Sequence, residues 1–188
     1  MNESARNRNT PGPLTLADFE ALPEDDNYRT ELSRGWLMRE PRPGGEHGCV
    51  SGNLFYLLRS FVTAHGLGRV LIETGFRISE NPPTVRGPDV AFVATSRLPA
   101  EVPIGFWTVA PDVAIEVVSP RNRPNDIGLK VIDYLEAGTA EIWVVQPRTR
   151  TVVVHRAAGD ARIAREGEAL ASELLPGLEL SLKDVFDL

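Results

Sequence analysis

The sequence predicts an α/β fold with a mixed central β-sheet, flanking helices and additional β-hairpins. Short β-branched apolar runs recur along the chain, which is typical of buried strands. Two longer segments carry apolar residues every three or four positions, which is typical of helices that pack against a sheet. Runs of strand, a long helix, more strands and a second helix fit helices packed on a mixed sheet. The runs lie at residues 70–73, 90–93, 112–118 and 142–145, and the helical segments at 50–64 and 126–137.

The length of 188 residues suits one domain, because a chain of this size can bury about 70% of its unfolded surface. We expect that domain at residues 14–188, after a flexible tail at residues 1–13 that is polar and contains two prolines. No apolar run in the sequence resembles a signal peptide or a membrane span. We therefore expect a cytoplasmic protein without membrane contact.

Cysteine content and charge narrow the classes of function. Cys49 is the only cysteine, so no internal disulfide forms, and no Cys/His spacing matches a structural zinc site. The net charge of −6 argues against a large basic face that holds duplex DNA by charge alone. It does not exclude nucleic acid, because carboxylates that hold a divalent cation count as negative in the sequence and are neutralised when the metal binds.

The first predicted elements are a short helix and a β-hairpin. Thr15 followed by Asp18 resembles a capping box, which indicates the start of a helix. Residues 28–32 and 36–39 are predicted strands, and Gly35 between them supplies the turn conformation.

Two polar residues near this hairpin have structural as well as functional interpretations. Glu31 lies on the first strand and, taken alone, is an exposed or salt-bridged acid, since charged side chains are mostly solvated. His47 stands at the entrance of the 50–64 helix, after a Pro/Gly-rich loop at residues 41–45 that could move over a cleft. A lone histidine at a helix entrance is more often a hydrogen-bonded structural residue than a ligand or a general base.

An acidic residue accompanies each of two apolar strands in the middle of the chain. Two strands are predicted at residues 70–73 and 76–78. Asp89 follows them and lies directly before the next apolar strand. Glu116 lies inside the run 112–118, where a carboxylate in a low-dielectric interior is protonated, salt-bridged or bound to a metal. Two strands that each carry a carboxylate suggest a common site.

Alternation along the second of these strands separates its two faces. Glu116 shares one face with Ala114, whereas Val113, Ile115 and Val117 lie on the other. Glu116 therefore points to a side on which its neighbour is small and space is available.

The helix predicted after this strand covers residues 126–137, with Asp126 as its N-cap and Gly138 just past its last turn. Lys130 sits on the flank of the apolar stripe of this helix, so its ammonium group could reach back toward the preceding strand. Two strand carboxylates followed by a lysine suggest a metal-and-lysine site.

The C-terminal part of the chain is predicted to form packing elements. Residues 141–145 and 151–156 flank a turn and read as a hairpin, and a short helix is predicted at 181–186. The valines at residues 152–154 look exposed in the sequence. Together with the frequency of two-fold pairing among small proteins, they motivate the prediction of a homodimer.

These residues resemble the Uma2 family, also called DUF820, a branch of the PD-(D/E)XK nuclease superfamily. The resemblance rests on Pro88-Asp89, on the 116–120 segment Glu-Val-Val-Ser-Pro, and on Lys130 with Tyr134. It extends from about Leu14 to Phe186 and includes the segment 28–32, Gly35, His47 and the strand at 142–145.

The resemblance implies a restriction-endonuclease-like core and a metal-dependent endonuclease that hydrolyses phosphodiester bonds in nucleic acid, with DNA favoured over RNA. The cofactor would be Mg²⁺ or Mn²⁺, which prefer oxygen ligands. The implied catalytic set is Asp89, Glu116, Lys130, Glu31 and His47, and the implied metal ligands are Asp89, Glu116, Glu31 and the Val117 carbonyl.

The chain departs from the pattern of the family and superfamily at three positions. In the wider superfamily the lysine lies two residues after the second acid, where this chain has Val118, and the resemblance to Uma2 implies that Lys130 takes that role. Arg34 stands where the family often has aspartate, and Gln146 replaces the acid that usually ends its strand. Neither of these last two changes affects the two acids or the lysine.

Three other interpretations remain open. Glu116 and Lys130 could simply form a buried ion pair in the core. A protein with this fold could bind nucleic acid or protein without cutting. A carboxylate-pair glycosidase would need neither the lysine nor a metal. Metal titration separates the nuclease from the binding module and from the glycosidase, because only the nuclease requires Mg²⁺ or Mn²⁺ at the acids.

Overall fold

The structure is a computed structural model that describes residues 13–23, 25 and 27–188. The predicted tail at residues 1–13 therefore lies outside the described residues, apart from Pro13. The described helices are α1 Leu16–Glu20, α2 Gly45–His65, α3 Pro124–Glu136 and α4 Leu182–Val185. The described strands are β1 Tyr28–Ser33, β2 Trp36–Pro41, β3 Gly68–Ile72, β4 Phe76–Glu80, β5 Pro83–Arg86, β6 Val90–Ala94, β7 Val113–Val117, β8 Glu141–Gln146, β9 Thr151–Arg156, β10 Ala161–Arg165, β11 Ala169–Ser172 and β12 Leu175–Ser181.

The central sheet has six strands in the order β10-β9-β8-β7-β6-β3. Strands β7 and β8 are parallel, and the other neighbours are antiparallel, so the sheet is mixed as the sequence predicts. The parallel pair is joined through α3, because a parallel connection needs a crossover and a helix supplies it. This crossover carries Lys130 back over the strand that holds Glu116.

A second sheet of four strands, in the order β2-β1-β5-β4, holds the predicted hairpin. The hairpin turn consists of Arg34 and Gly35, both with positive φ (51° and 83°), the backbone twist that suits a two-residue hairpin. Strand β5 pairs with both β1 and β4. This sheet brings Glu31 and Arg86 toward the same side of the molecule.

The two faces of the central sheet are covered differently. The largest apolar cluster packs α2, α4 and the C-terminal strands against one face, and it includes Val113, Ile115 and Val117. The other face packs against α3 through a smaller cluster that includes Ala114 and Tyr134. The alternation read from the sequence of β7 therefore corresponds to its two packed faces.

Both long helices begin earlier than the sequence pattern predicts. Helix α2 starts at Gly45 instead of residue 50, so His47 lies inside its first turn and not at its entrance. Helix α3 starts at Pro124 with Arg123 at the N-cap position, so Asp126 is a first-turn acid and not the N-cap. Proline suits the first helical position because its missing N–H has no helical partner there.

The valines at residues 152–154 do not form the exposed surface that the sequence suggests. Val152 and Val154 are buried in the largest cluster, where side chains of β10–β12 and α4 pack with them. The prediction missed all three of these strands, as well as β5. The homodimer stays a prediction, now without the exposed valines that motivated it.

Candidate active site

Asp89 and Glu116 occupy neighbouring positions on adjacent strands. Val90 pairs with Ile115 across β6 and β7, so Asp89, one residue before β6, lies beside Glu116. Oδ2 of Asp89 accepts a 2.7 Å hydrogen bond from the Val117 backbone N–H. Both carboxylates are buried. The pairing of β6 with β7, extended by one residue to Asp89, thus places the carboxylates side by side.

Helix α3 supplies two donors to Glu116. Lys130 and Tyr134 are four residues apart and therefore share one helix face. Lys130 Nζ donates to Oε2 of Glu116 over 3.0 Å, and the Tyr134 hydroxyl donates to Oε1 over 3.0 Å. The pKa of Glu116 is raised to about 8, chiefly by burial, because Lys130 lowers it only in part and the neighbouring carboxylates add to the rise. The existing contacts thus compensate the charge of Glu116 incompletely.

The hairpin adds two more carboxylates around Lys130. Nζ lies 3.1 Å from Oε1 of Glu31 and 3.4 Å from Oε1 of Glu40. Burial alone would lower the pKa of Lys130, but Glu116, Glu31 and Glu40 outweigh burial and raise it above its usual value. Lys130 is therefore a buried ammonium ion among three acids.

Glu31 lies on β1, an interior strand of the second sheet, and is held firmly there. Oε2 accepts a 2.8 Å bond from Arg86 Nη1, and Oε1 accepts a 2.9 Å bond from the Gly87 N–H. Burial would raise the pKa of Glu31, yet Lys130, Arg86 and the Gly87 N–H together lower it to about 2. Glu31 is thus an ionised, salt-bridged acid, which agrees with its structural interpretation.

Asp89 has partners from two further elements. His47 Nε2 lies 3.1 Å from Oδ2, and the other ring nitrogen lies 3.3 Å from the Ser51 hydroxyl. Arg29 Nη1 and Nη2 donate to Oδ1 over 2.8 and 2.9 Å, and Nη2 also lies 2.8 Å from Glu73 Oε1. Every oxygen of Asp89 therefore has a protein donor.

These groups border a cleft of about 250 Å³. Among the predicted site residues, His47, Asp89, Glu116 and Val117 line the cleft. Lys130 and Glu31 lie behind it, where Lys130 contacts both Glu116 and Glu31. The structure brings all six predicted residues together, and their catalytic roles stay predictions. The remaining lining residues are Arg29, Met38, Arg39, Glu40, Pro41, Pro43, Ser119, Arg121, Asn122, Arg123 and Asp126.

Sequence reasoning missed Arg29, Glu40 and Arg86 as members of this site. Alternation on β1 puts Arg29 on the same face as Glu31, so one signal was available. Glu40 pairs with Arg29 across the hairpin, a register that follows once the turn is placed at Arg34 and Gly35. No comparable local signal exists for Arg86, because its two acidic partners are 47 and 55 residues away.

The residues suit a divalent cation of the magnesium type. Among the described residues, no group of three or more His, Cys, Asp and Glu side chains is arranged to hold a metal. Mg²⁺, however, is usually bound by one or two carboxylates together with water and substrate phosphate. Asp89, Glu116 and the Val117 carbonyl offer hard oxygen ligands at one cleft, and the incompletely compensated charge of Glu116 favours a further cation. The donor set therefore fits.

A restriction-endonuclease-like fold with two strand carboxylates and a lysine on the next helix defines a nuclease-like protein. The chain belongs to the Uma2 family. The family model, described as "Putative restriction endonuclease", matches residues 16–183. No curated protein matches this chain.

A solved structure has the same fold. It is a crystal structure from Anabaena variabilis ATCC 29413, described as "a putative nuclease belonging to DUF820", with 27% sequence identity and a TM-score of 0.83. The match covers 93% of this chain and 98% of that chain. The restriction-endonuclease-like α/β fold is thereby confirmed, and the family and this structure both support a nuclease. Within the described parts of the chain, no helix is long and apolar enough to cross a membrane.

Proposed function

We propose that the protein is a divalent-cation-dependent endonuclease that hydrolyses phosphodiester bonds, with DNA favoured over RNA. The observation that carries the proposal is the placement of Asp89 and Glu116 side by side on one cleft, with Lys130 bonded to Glu116. The description of the family as a restriction endonuclease supports DNA as the substrate.

In this proposal Asp89, Glu116 and the Val117 carbonyl hold Mg²⁺ or Mn²⁺. When bound, such a cation withdraws charge from the phosphate and lowers the pKa of attacking water. His47 and the Val117 N–H hold Asp89 in place through Oδ2. Glu31 lies behind the cleft with both oxygens bonded, so we assign it the positioning of Lys130.

Lys130 acts as a fixed positive charge in this proposal. Its pKa is raised by three acids against the effect of burial, so it is protonated at neutral pH and does not accept a proton from water. Its charge would instead orient Glu116 and stabilise negative charge that develops on the phosphate. Exposed arginines on the cleft rim, Arg39 and Arg121, are suited to contacts with backbone phosphates.

Cleavage assays test the proposal directly. Purified protein is incubated with single- and double-stranded DNA and RNA, with Mn²⁺, with Mg²⁺ and with EDTA. We expect metal-dependent cleavage that Glu116→Gln and Asp89→Asn each reduce by about 10²-fold or more. Glu101→Gln serves as the matched control, since Glu101 is an exposed acid outside the cleft lining. Cleavage that survives both site variants, or that needs no metal, would contradict the proposal.

One observation favours the alternative of a binding module that does not cut. Each oxygen of Asp89 and Glu116 already accepts a bond or ion pair from the protein, as expected if no metal binds there. In that case the protein would retard the migration of nucleic acids in gel-shift assays both with and without EDTA. It would cleave none of them.

A further inference from the structure

The two oxygens of Asp89 are held by different kinds of donors. Oδ2 accepts from the Val117 backbone N–H and lies near His47, which belong to a central strand and to a buried helix turn. The bonds to Oδ1 come from the Arg29 guanidinium, at 2.8 and 2.9 Å. Oδ2 is therefore fixed by the fold, whereas the donor to Oδ1 is a long side chain that can move.

Arg29 has a second anion within reach at the cleft edge. Its side chain is 24% exposed, and its Nη2 lies 2.8 Å from Oε1 of Glu73, whose side chain is 52% exposed. The guanidinium thus bridges a buried carboxylate and a solvated one. It can leave Asp89 and keep an ion pair with Glu73, so its departure leaves no buried charge on Arg29 itself.

We propose that Arg29 is the resident counter-cation of Asp89, that a divalent cation must displace it from Oδ1 to bind, and that Arg29 therefore sets the metal affinity of the site. The inference rests on the proposed function, in which Asp89 is a metal ligand. A guanidinium and a metal ion cannot both occupy the same side of Oδ1. Two cations in contact with one carboxylate oxygen would also repel each other strongly.

The burial of the cations that contact the acids supports this competition. Lys130, Arg86 and Arg29 form ion pairs with Glu31, Glu40, Asp89 and Glu116. Lys130 and Arg86 are almost fully buried, at 3% and 2% exposure, and each bonds at least two acids. Arg29 is the most exposed of these three cations, and so the one that an incoming metal ion displaces most easily.

Metal binding to the full-length, metal-free protein tests the inference without any substrate. Mn²⁺ is titrated by calorimetry into the wild type, Arg29→Met and Arg39→Met. We expect Arg29→Met to bind Mn²⁺ at least tenfold more tightly, because the competing cation is gone. Arg39 lines the same cleft without an ion pair to Asp89. Arg39→Met should bind Mn²⁺ within about twofold of the wild type, because solvent and salt screen the charge of this exposed side chain.

A variant of Glu73 tests the same idea in the opposite direction. Glu73→Gln removes the second anion that holds Arg29, so the guanidinium should bind Asp89 more strongly and Mn²⁺ affinity should fall several-fold. Glu73 is largely exposed, and folding of this variant is therefore secure even if Arg29→Met folds poorly. An unchanged or higher Mn²⁺ affinity in Glu73→Gln would overturn the inference.

The outcomes separate this inference from the proposed function. Equal Mn²⁺ affinity in the wild type and Arg29→Met, or weaker binding by Arg29→Met, overturns the role of Arg29 and leaves the metal site standing. Absence of Mn²⁺ binding in every variant overturns both. If Arg29→Met binds Mn²⁺ and the wild type does not, the inference holds in its strongest form. Arg29 then excludes the metal ion from the wild-type site.

Discussion

The two faces of strand β7 are packed in contrasting ways. Val113, Ile115 and Val117 contact the apolar cluster under α2, where any residue of similar volume and polarity could be accommodated with modest loss. Glu116, on the opposite face, is buried beneath α3 among charges. One face of β7 thus tolerates apolar substitution. The stability of the other face depends on the partners of each charged side chain, because a buried charge is stable only when it is paired.

The charged face extends beyond Glu116 into a continuous network. Arg86 is 2% exposed and links Glu31 to Asp133, and Asp133 in turn accepts a 3.0 Å bond from Arg34 Nε. Burial would lower the pKa of Arg86, but Glu31 and Asp133 outweigh burial and raise it above its usual value. The network joins the hairpin sheet to α3, so it positions Lys130 as well as stabilising the fold.

The largest expected effect comes from removing the central cation of this network. Arg86→Met should lower the free energy of unfolding by about 3–5 kcal/mol, because Glu31 and Asp133 would be left buried without their shared partner. Urea unfolding followed by circular dichroism measures the change. Arg39→Met is the matched control, since Arg39 is exposed. A loss no larger than that of the control would show that the charged face is as tolerant as the apolar one.

The apolar face should respond to truncation by an amount that reflects volume alone. Ile115→Ala should lower the free energy of unfolding by about 3 kcal/mol, through lost burial and the cavity it leaves. The loss should be nearly the same at pH 5 and pH 8, because Ile115 packs in an apolar cluster. A strong pH dependence in this variant would mean that the two faces are coupled.

Lys130 should be less critical for stability than Arg86. Lys130→Met keeps most of the packing of the stem and removes the charge. Glu116 has a pKa of about 8 and is therefore protonated at pH 6, so the variant does not leave it there as an unpaired charge. We expect a loss of about 2 kcal/mol at pH 6, smaller than the full penalty for an unpaired buried charge. Urea unfolding at pH 6 and pH 9 checks this, and the loss should be greater at pH 9.

The smallest expected effect, counted per pH unit, is the change of stability with pH, although this change accumulates between pH 5 and pH 8. Burial raises the pKa of Glu116 from 4.5 to about 8 in the metal-free fold, so the folded state binds more protons than the unfolded state between these values. Stability from this group is complete below pH 4.5 and is lost as pH rises through 8, at up to about 1.4 kcal/mol per pH unit. Unfolding measured from pH 5 to pH 8 in EDTA should show this decline in the wild type relative to Glu116→Gln. Parallel curves for the two proteins would contradict it.

Much of the framework was predictable from local patterns. The alternation around Glu116 predicted the two faces of β7. The position of Asp89 directly before an apolar strand predicted a second acid at the same site. The stripe with Lys130 on its flank predicted that the ammonium could reach back toward the preceding strand, where it contacts Glu116. These features follow from periods of two and 3.6 residues, which depend only on backbone geometry.

Other features were decided by contacts that local patterns do not encode. The burial of Val152 and Val154 depends on strands that come later in the chain and pack with them. Arg29 meets Asp89 where the hairpin sheet contacts the start of β6, across 60 residues of sequence. Arg86 meets Asp133 where the same sheet contacts α3, across 47 residues. By itself, the sequence determined which side chains share a face of each element. The tertiary structure decided which charges meet, because ion pairing depends on distances of a few ångströms between elements far apart in the chain.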